Sequence, residues 1–188
     1  MNRDAPQRGR MIAVVGPSGV GKDSVMAGIK AALPDIHLVQ RVVTRAPGLG
    51  GEDYRPATVA EFEAMVAEAA FAVHWGAHGL YYGIPGDTLN VVAAGTDCLA
   101  NFSRSALTKG AEVFERFTVL NITARPETLA QRLANRGRET PEDIQRRLAQ
   151  IDKPLPEGLD VIHLSNDGAL AQTIARAVQQ LAHESMPS

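Results

Sequence analysis

The chain has 188 residues, 45% hydrophobic and 21% charged, which suits a single globular domain with one substantial core. A formal net charge of −2 supplies no overall basic field, so binding to nucleic acid or to an anionic membrane would need a local cluster. The lone cysteine, Cys98, excludes an internal disulfide, and no apolar run reaches the roughly 18 residues of a membrane span, so a cytoplasmic protein that engages neither nucleic acid nor membrane is expected.

Residues 1–10 mix Arg, Asp, Pro, Gln and Gly without periodicity and read as a flexible arm, like the tail from Glu184 to Ser188. Met11 to Val15 is a short continuous apolar run ending at Gly16-Pro17, as in a strand buried on both faces of a parallel sheet. A Gly-rich turn follows, then a helix over Lys22 to Leu33, marked by Val25, Ile29 and Leu33 and stopped by Pro34. Further strands are expected at His37 to Val43, Phe71 to Trp75, Cys98 to Phe102, Phe117 to Ile122 and Val161 to Leu164.

Thr58-Val-Ala-Glu61 is a capping-box pattern that opens a helix with Phe62, Met65 and Val66 inward, and Pro126 fits the first turn of a helix carrying Leu129 and Leu133. Thr140-Pro141 starts another helix, with Ile144, Leu148 and Ile151 on its apolar face, and Ala169 to Leu181 forms the last. Strands alternating with helices imply an α/β fold with a mainly parallel sheet. Arg41 to Pro56 is the longest irregular stretch.

Gly16-Pro17-Ser18-Gly19-Val20-Gly21-Lys22 matches the phosphate-binding pattern G-x-x-x-x-G-K, in the required setting between a strand and a helix. The glycines let backbone N–H groups turn toward phosphate oxygens, the helix start adds positive potential, and the Lys22 ammonium can follow the terminal phosphates of ATP. Asp23 stands where a Ser or Thr usually ligates Mg²⁺. Asp23 is therefore either a metal ligand or an acidic residue suited to a helix's first turn, and Ser24 is the substitute hydroxyl.

Arg132, Arg136, Arg138, Arg146 and Arg147 edge a helical hairpin, with Gly137 ending the first helix. Such guanidinium groups either form a solvated face paired with Glu139, Glu142 and Asp143, or surround a phosphoryl group in transit. The phosphate-binding loop favours the second reading.

Together with Val43-Thr44-Arg45, Gly79-Leu-Tyr-Tyr-Gly83, Asn101-Phe-Ser-Arg104, Arg132-Leu-Ala-Asn-Arg-Gly137 and Asn166-Asp167, these features resemble the guanylate kinase-like P-loop superfamily from about Met11 to Leu181. Within it, the Lys22-Asp23 pair and Trp75 to Gly83 are more similar to the ribose 1,5-bisphosphate phosphokinases of phosphonate catabolism. The resemblance implies a P-loop NTPase fold over residues 11–183, with helices flanking the sheet, an acceptor-binding region at about 41–83 and a lid at about 132–147. It implies ATP as phosphoryl donor, with Mg²⁺ bridging its phosphates. Arg45, with Tyr54 and Tyr82, would face the acceptor's phosphate; Arg136 and Arg147 would act catalytically from the lid beside Lys22; Arg132 and Asn166 would help hold the adenine nucleotide. Arg41, Arg45 and Arg104 would supply charge to a doubly phosphorylated ligand.

The departures from guanylate kinase concern the base. An acid that bonds guanine corresponds to Val73, the first phosphate-binding serine falls on Arg41, and the Leu-Asp-Ile-Asp strand becomes Leu99-Ala-Asn-Phe102 without a carboxylate. Phosphate grip survives while purine recognition does not, since a base needs polar partners. The resemblance thus implies phosphorylation of ribose 1,5-bisphosphate to 5-phosphoribosyl 1-diphosphate. A nucleoside monophosphate kinase is the rival in chemistry, and a non-catalytic guanylate kinase-like interaction module the rival of another class. His74 and His78 read as packed or surface residues, and the oligomeric state stays open.

Overall fold

The computed structural model describes residues 8–46, 52–135, 145, 148 and 154–183. Arg136, Arg138, Arg146, Arg147 and most of the helix expected from Thr140 lie outside these residues. Leu148 is described as helical and packs against the core.

Five parallel strands form the central sheet, in the order β2 (His37–Leu38), β7 (Cys98–Asn101), β1 (Met11–Val15), β8 (Phe117–Thr123), β9 (Asp160–Ser165). The apolar run of β1 is buried throughout because alternate side chains enter different cores. Ile12 and Val14 pack with Val25 and Ile29 of α1 (Lys22–Ala32), Leu129 of α5 (Pro126–Asn135) and Ala177 and Leu181 of α6 (Leu170–His183). Met11, Ala13 and Val15 face the other cluster, which includes Val92 of α3 (Thr88–Ala93) and Leu107 of α4 (Leu107–Val113).

That second cluster is shared with a smaller mixed sheet ordered β4 (Arg55–Pro56), β3 (Val42–Val43), β6 (Leu80–Pro85), β5 (Phe71–Ala77). Strands β5 and β6 form an antiparallel hairpin whose two turn residues, His78 and Gly79, have φ of 53° and 73°. Two positive φ values define the tight turn that matches strand twist, so His78 is a turn residue. Its glycine partner adopts this geometry without a steric penalty.

Several expectations change. The single strand expected over His37 to Val43 is two: the chain leaves the parallel sheet after the bond from Val39 N to Leu99 O, and Val42–Val43 pair antiparallel with β6. Helix α2 (Val59–Ala67) has the capping box at Thr58 and Glu61, yet only Phe62 of its apolar residues is fully buried, and Val66 faces solvent because α2 packs on β5, the edge strand of the small sheet. The arm ends sooner than expected. Arg10 is buried, pairs with Asp97 at 3.0 Å and donates to the Leu181 carbonyl, tying the entrance of β1 to β7 and α6.

Cys98 is a buried free thiol in β7, its pKa pushed up to about 12 by burial and by Asp97, so it is an unreactive packing residue. Among the described residues no helix is long and apolar enough to cross a membrane.

Candidate active site

The loop from Gly16 to Gly21 leaves the C-terminal end of β1 and feeds directly into α1. Gly21, the residue before the first helical turn, has φ +94° and lies so close to Asn166 that a Cβ would meet its Nδ2 at 2.9 Å. Glycine is required there for both reasons. The Lys22 ammonium folds back onto the loop, donating to the Gly16 carbonyl at 3.0 Å and the Pro17 carbonyl at 3.4 Å. Burial lowers its pKa to about 8; Arg41 and Arg104 push the same way, while Asp23 and Glu52 oppose them.

A second layer holds the loop from behind. Asn166, buried in the turn after β9, donates to the Val20 carbonyl at 2.8 Å and accepts from the Thr173 hydroxyl at 2.8 Å. Arg132 of α5 spans the same gap, donating to the Val20 carbonyl at 3.2 Å and the Asn166 carbonyl at 2.8 Å. Asp167 accepts from the Arg125 backbone N–H and from the Thr128 and Ser165 hydroxyls, and these bonds, led by the first, lower its pKa to about 2. Residues expected to hold the nucleotide are thus also the residues that shape the loop.

Across from Lys22, Arg41 is buried and grips Glu52 with both arms of its fork: Nε donates to one carboxylate oxygen at 2.7 Å and Nη2 to the other. Its guanidinium lies over the rings of Tyr82, at 4.9 Å, and Trp75, at 5.8 Å. Trp75 stacks on Tyr82 and Phe102 and donates its indole N–H to the Ser103 hydroxyl at 2.7 Å. Asn101, the last residue of β7, reaches the same Glu52 carboxylate at 3.4 Å.

The Thr44-Arg45 pair is set by the small sheet. Thr44 N–H donates to the Tyr81 carbonyl, and its hydroxyl accepts from the Tyr81 N–H at 2.8 Å, so the backbone carrying Arg45 is fixed to β6. Arg45 lies over the Tyr54 ring at 5.6 Å, and the Tyr54 hydroxyl donates to the Ala46 carbonyl. Tyr82 is buried in the stack beneath Arg41, whereas Tyr81 is exposed and stacks on Phe62. Arg104 begins a short 3₁₀ turn, Arg104–Ala106, just after β7.

Val73 is buried in the core cluster that also holds Trp75, Tyr82 and Phe102. His74 is exposed on β5, its ring near Phe62 and Phe71. The structure therefore gathers Lys22, Arg41 and Arg104 into one field with Asp23 and Glu52. Glu52, Asn101 and Ser103 are the members of this arrangement that the sequence motifs do not single out as ligand-facing. Glu52 lies in an irregular charged stretch, where no periodicity reports which way a side chain faces.

A parallel sheet with a phosphate-binding loop on its central strand, roofed by a small mixed sheet, defines a P-loop kinase fold of the guanylate kinase type. The chain is similar in structure to guanylate kinase from Anaplasma phagocytophilum, with TM-score 0.71, 19% identity and coverage of 98% of this chain and 89% of that one. A sugar kinase from Janibacter sp. is also similar, with TM-score 0.56, 17% identity and coverage of 93% and 95%.

In sequence the chain is 52% identical over 174 residues to ribose 1,5-bisphosphate phosphokinase PhnN of Ruegeria sp., covering 92% of each. It is 43% identical over 183 residues to the protein of the same name from Agrobacterium fabrum, covering 94% of this chain and 100% of that one. No protein-family model matches. The chain belongs to the ribose 1,5-bisphosphate phosphokinase family.

Proposed function

We propose that this protein transfers the γ-phosphoryl group of ATP to the 1-phosphate of ribose 1,5-bisphosphate, giving 5-phosphoribosyl 1-diphosphate and ADP. The observation that carries the acceptor is the 52% identity to a protein named for that substrate, over 92% of both chains. The geometry agrees with a small, highly charged acceptor. Cationic groups converge on the loop, while Val73, where a guanine-bonding acid would stand, is buried among apolar side chains.

An oxygen of the acceptor's 1-phosphate attacks the γ-phosphorus as the bond to the bridging oxygen of ADP breaks, and ADP leaves with that electron pair. The acceptor phosphate is already ionised near neutral pH, so no strong general base is required. Backbone N–H groups from Gly16 to Gly21 hold the donor phosphates, and Lys22 exchanges its carbonyl partners for β- and γ-phosphate oxygens. Arg132 and Asn166 keep the loop in shape while Ser18, Asp23 and Ser24 line it.

Asp23 and Ser24 offer hard oxygen donors in the first turn of α1 beside Lys22, a set that fits Mg²⁺. Bound there with the ATP phosphates, Mg²⁺ would neutralise their charge. Arg45 and Arg104 face the acceptor's phosphates, with Tyr54 orienting Arg45 from beneath and Tyr82 supporting Arg41. Arg136 and Arg147 belong to the lid proposed at about 132–147, which closes over the acceptor region at about 41–83 and excludes water.

ADP release measured with Mg-ATP and either ribose 1,5-bisphosphate or GMP tests this reading. Turnover with the sugar alone is expected. Turnover with GMP alone would make the protein a divergent nucleotide kinase, in keeping with its fold.

A further inference from the structure

Glu52 is an anion placed where an enzyme for a doubly phosphorylated acceptor has least apparent use for one. Its contact with Asn101 sets it over the C-terminal ends of β7 and β1, whose residues Asn101 and Val14 are register partners two positions before the phosphate-binding loop. Ligands of parallel α/β sheets bind at that edge. The Arg41 side chain is 6% exposed and closed in by Tyr82 and Trp75, whereas the Glu52 side chain is 18% exposed, so the carboxylate is the member of the pair that reaches the cleft.

Two carboxylate oxygens offer about four acceptor positions. The Arg41 fork takes one on each oxygen, and Asn101 approaches one oxygen at a long 3.4 Å. The remaining capacity can be filled only by a donor. A phosphate of the acceptor would be repelled, and a metal ion would sit against the Arg41 guanidinium. The donors a sugar bisphosphate brings between its phosphates are ring hydroxyls, and one of them can donate to a lone pair that the Arg41 fork leaves pointing outward.

We propose that Glu52, braced by Arg41 and Asn101, is the specificity-determining residue that accepts a hydrogen bond from the 2-hydroxyl of the acceptor's sugar ring. This rests on the sugar bisphosphate reading of the same site. Arg41 is then a positioning residue: its fork fixes the plane of the carboxylate, and the aromatic stack fixes the fork.

The test compares kcat/KM for ribose 1,5-bisphosphate and 2-deoxyribose 1,5-bisphosphate in the wild-type protein and in Glu52→Gln, with Mg-ATP affinity measured for both. The wild type is expected to favour ribose by about ten- to a hundredfold, the scale of one hydrogen bond to a charged group. In Glu52→Gln the preference should shrink to within about threefold, whatever change the loss of an anion near Lys22 makes to Mg-ATP affinity, since that change is common to both sugars.

Equal turnover of the two sugars by the wild type overturns the proposal without any variant, so it stays testable even if Glu52→Gln folds poorly. An equal loss on both sugars would reduce Glu52 to a brace for Arg41, and a changed Mg²⁺ requirement would make it a metal ligand; either result overturns the proposal. A lower KM in Glu52→Gln would also overturn it, since the carboxylate would then be blocking a phosphate site on Arg41. Wild-type protein that turns over neither sugar overturns the acceptor reading itself, and this proposal with it.

Discussion

Asn166 donates its side-chain amide to the Val20 carbonyl, 2.8 Å away across 146 residues of sequence, and so fixes the turn after β9 to the phosphate-binding loop. The same side chain accepts from Thr173, which couples the loop to the first turns of α6. Replacement of Asn166 by Ala leaves the Thr173 hydroxyl without that acceptor and the loop carbonyl with Arg132 alone. Stability should fall by about 1–3 kcal/mol and ATP affinity by about tenfold. Denaturant unfolding and calorimetric titration measure the two; unchanged ATP affinity would mean that Asn166 supports α6 and not the loop.

Gly21→Ala tests the same contact from the other side. The added methyl would meet Asn166 Nδ2 at 2.9 Å in a backbone conformation of φ +94°. The strain should cost about 1–3 kcal/mol and reduce ATP binding more than it reduces acceptor binding. Separate titrations with each ligand decide this.

Lys22 gives a pH signature. Burial lowers its pKa to about 8 in the free protein, from 10.5 for the ordinary side chain. Because the folded value lies below the unfolded one, the unfolded chain binds more protons between about 8 and 10.5, and this group's contribution to stability rises with pH across that window. ATP phosphates favour the charged ammonium, so ATP binding at pH 9 should take up protons. Calorimetry in two buffers of different ionisation enthalpy reads the uptake directly. In Lys22→Ala the uptake should vanish and kcat fall by about a hundredfold or more, with a fold at least as stable as the wild type at neutral pH. An active Lys22→Ala protein would mean that the loop is not the donor site, and absence of Mg²⁺-dependent ATP binding by the wild type would favour an interaction module.

Arg41→Ala should be among the more damaging changes in the acceptor region. It leaves the Glu52 carboxylate in a partly buried place without its partner and removes the cation from above the Tyr82 ring. A loss of about 2–4 kcal/mol is expected, below the full cost for a buried pair because Glu52 is 18% exposed. Arg41→Lys should not restore activity, since an ammonium cannot reproduce the two-armed grip. Thermal unfolding together with acceptor KM checks both statements.

The nucleotide half of the site is legible in the sequence, because its signal is local. One apolar strand, one Gly-rich turn and one amphipathic helix stand in order from Met11 to Leu33, and the structure has all three. The acceptor half is less legible. Two of the strands in its sheet, Val42–Val43 and Arg55–Pro56, are two residues long, too short for a period-two pattern to register. Gly79 to Gly83 carries a motif without revealing the antiparallel hairpin that the positive φ of His78 and Gly79 creates. The resemblance gives Arg41 as charge for the acceptor; its pairing with Glu52, eleven positions on, is not written in any local pattern.

The family assignment and the cleft chemistry meet in one product. Phosphorus NMR of a reaction containing the protein, Mg-ATP and ribose 1,5-bisphosphate should show the 1-phosphate resonance replaced by the coupled pair of a diphosphate, in step with ADP. A diphosphate signal that forms with GMP and not with the sugar, or no coupled pair with the sugar at all, would contradict the assignment of this chain as the kinase that makes 5-phosphoribosyl 1-diphosphate.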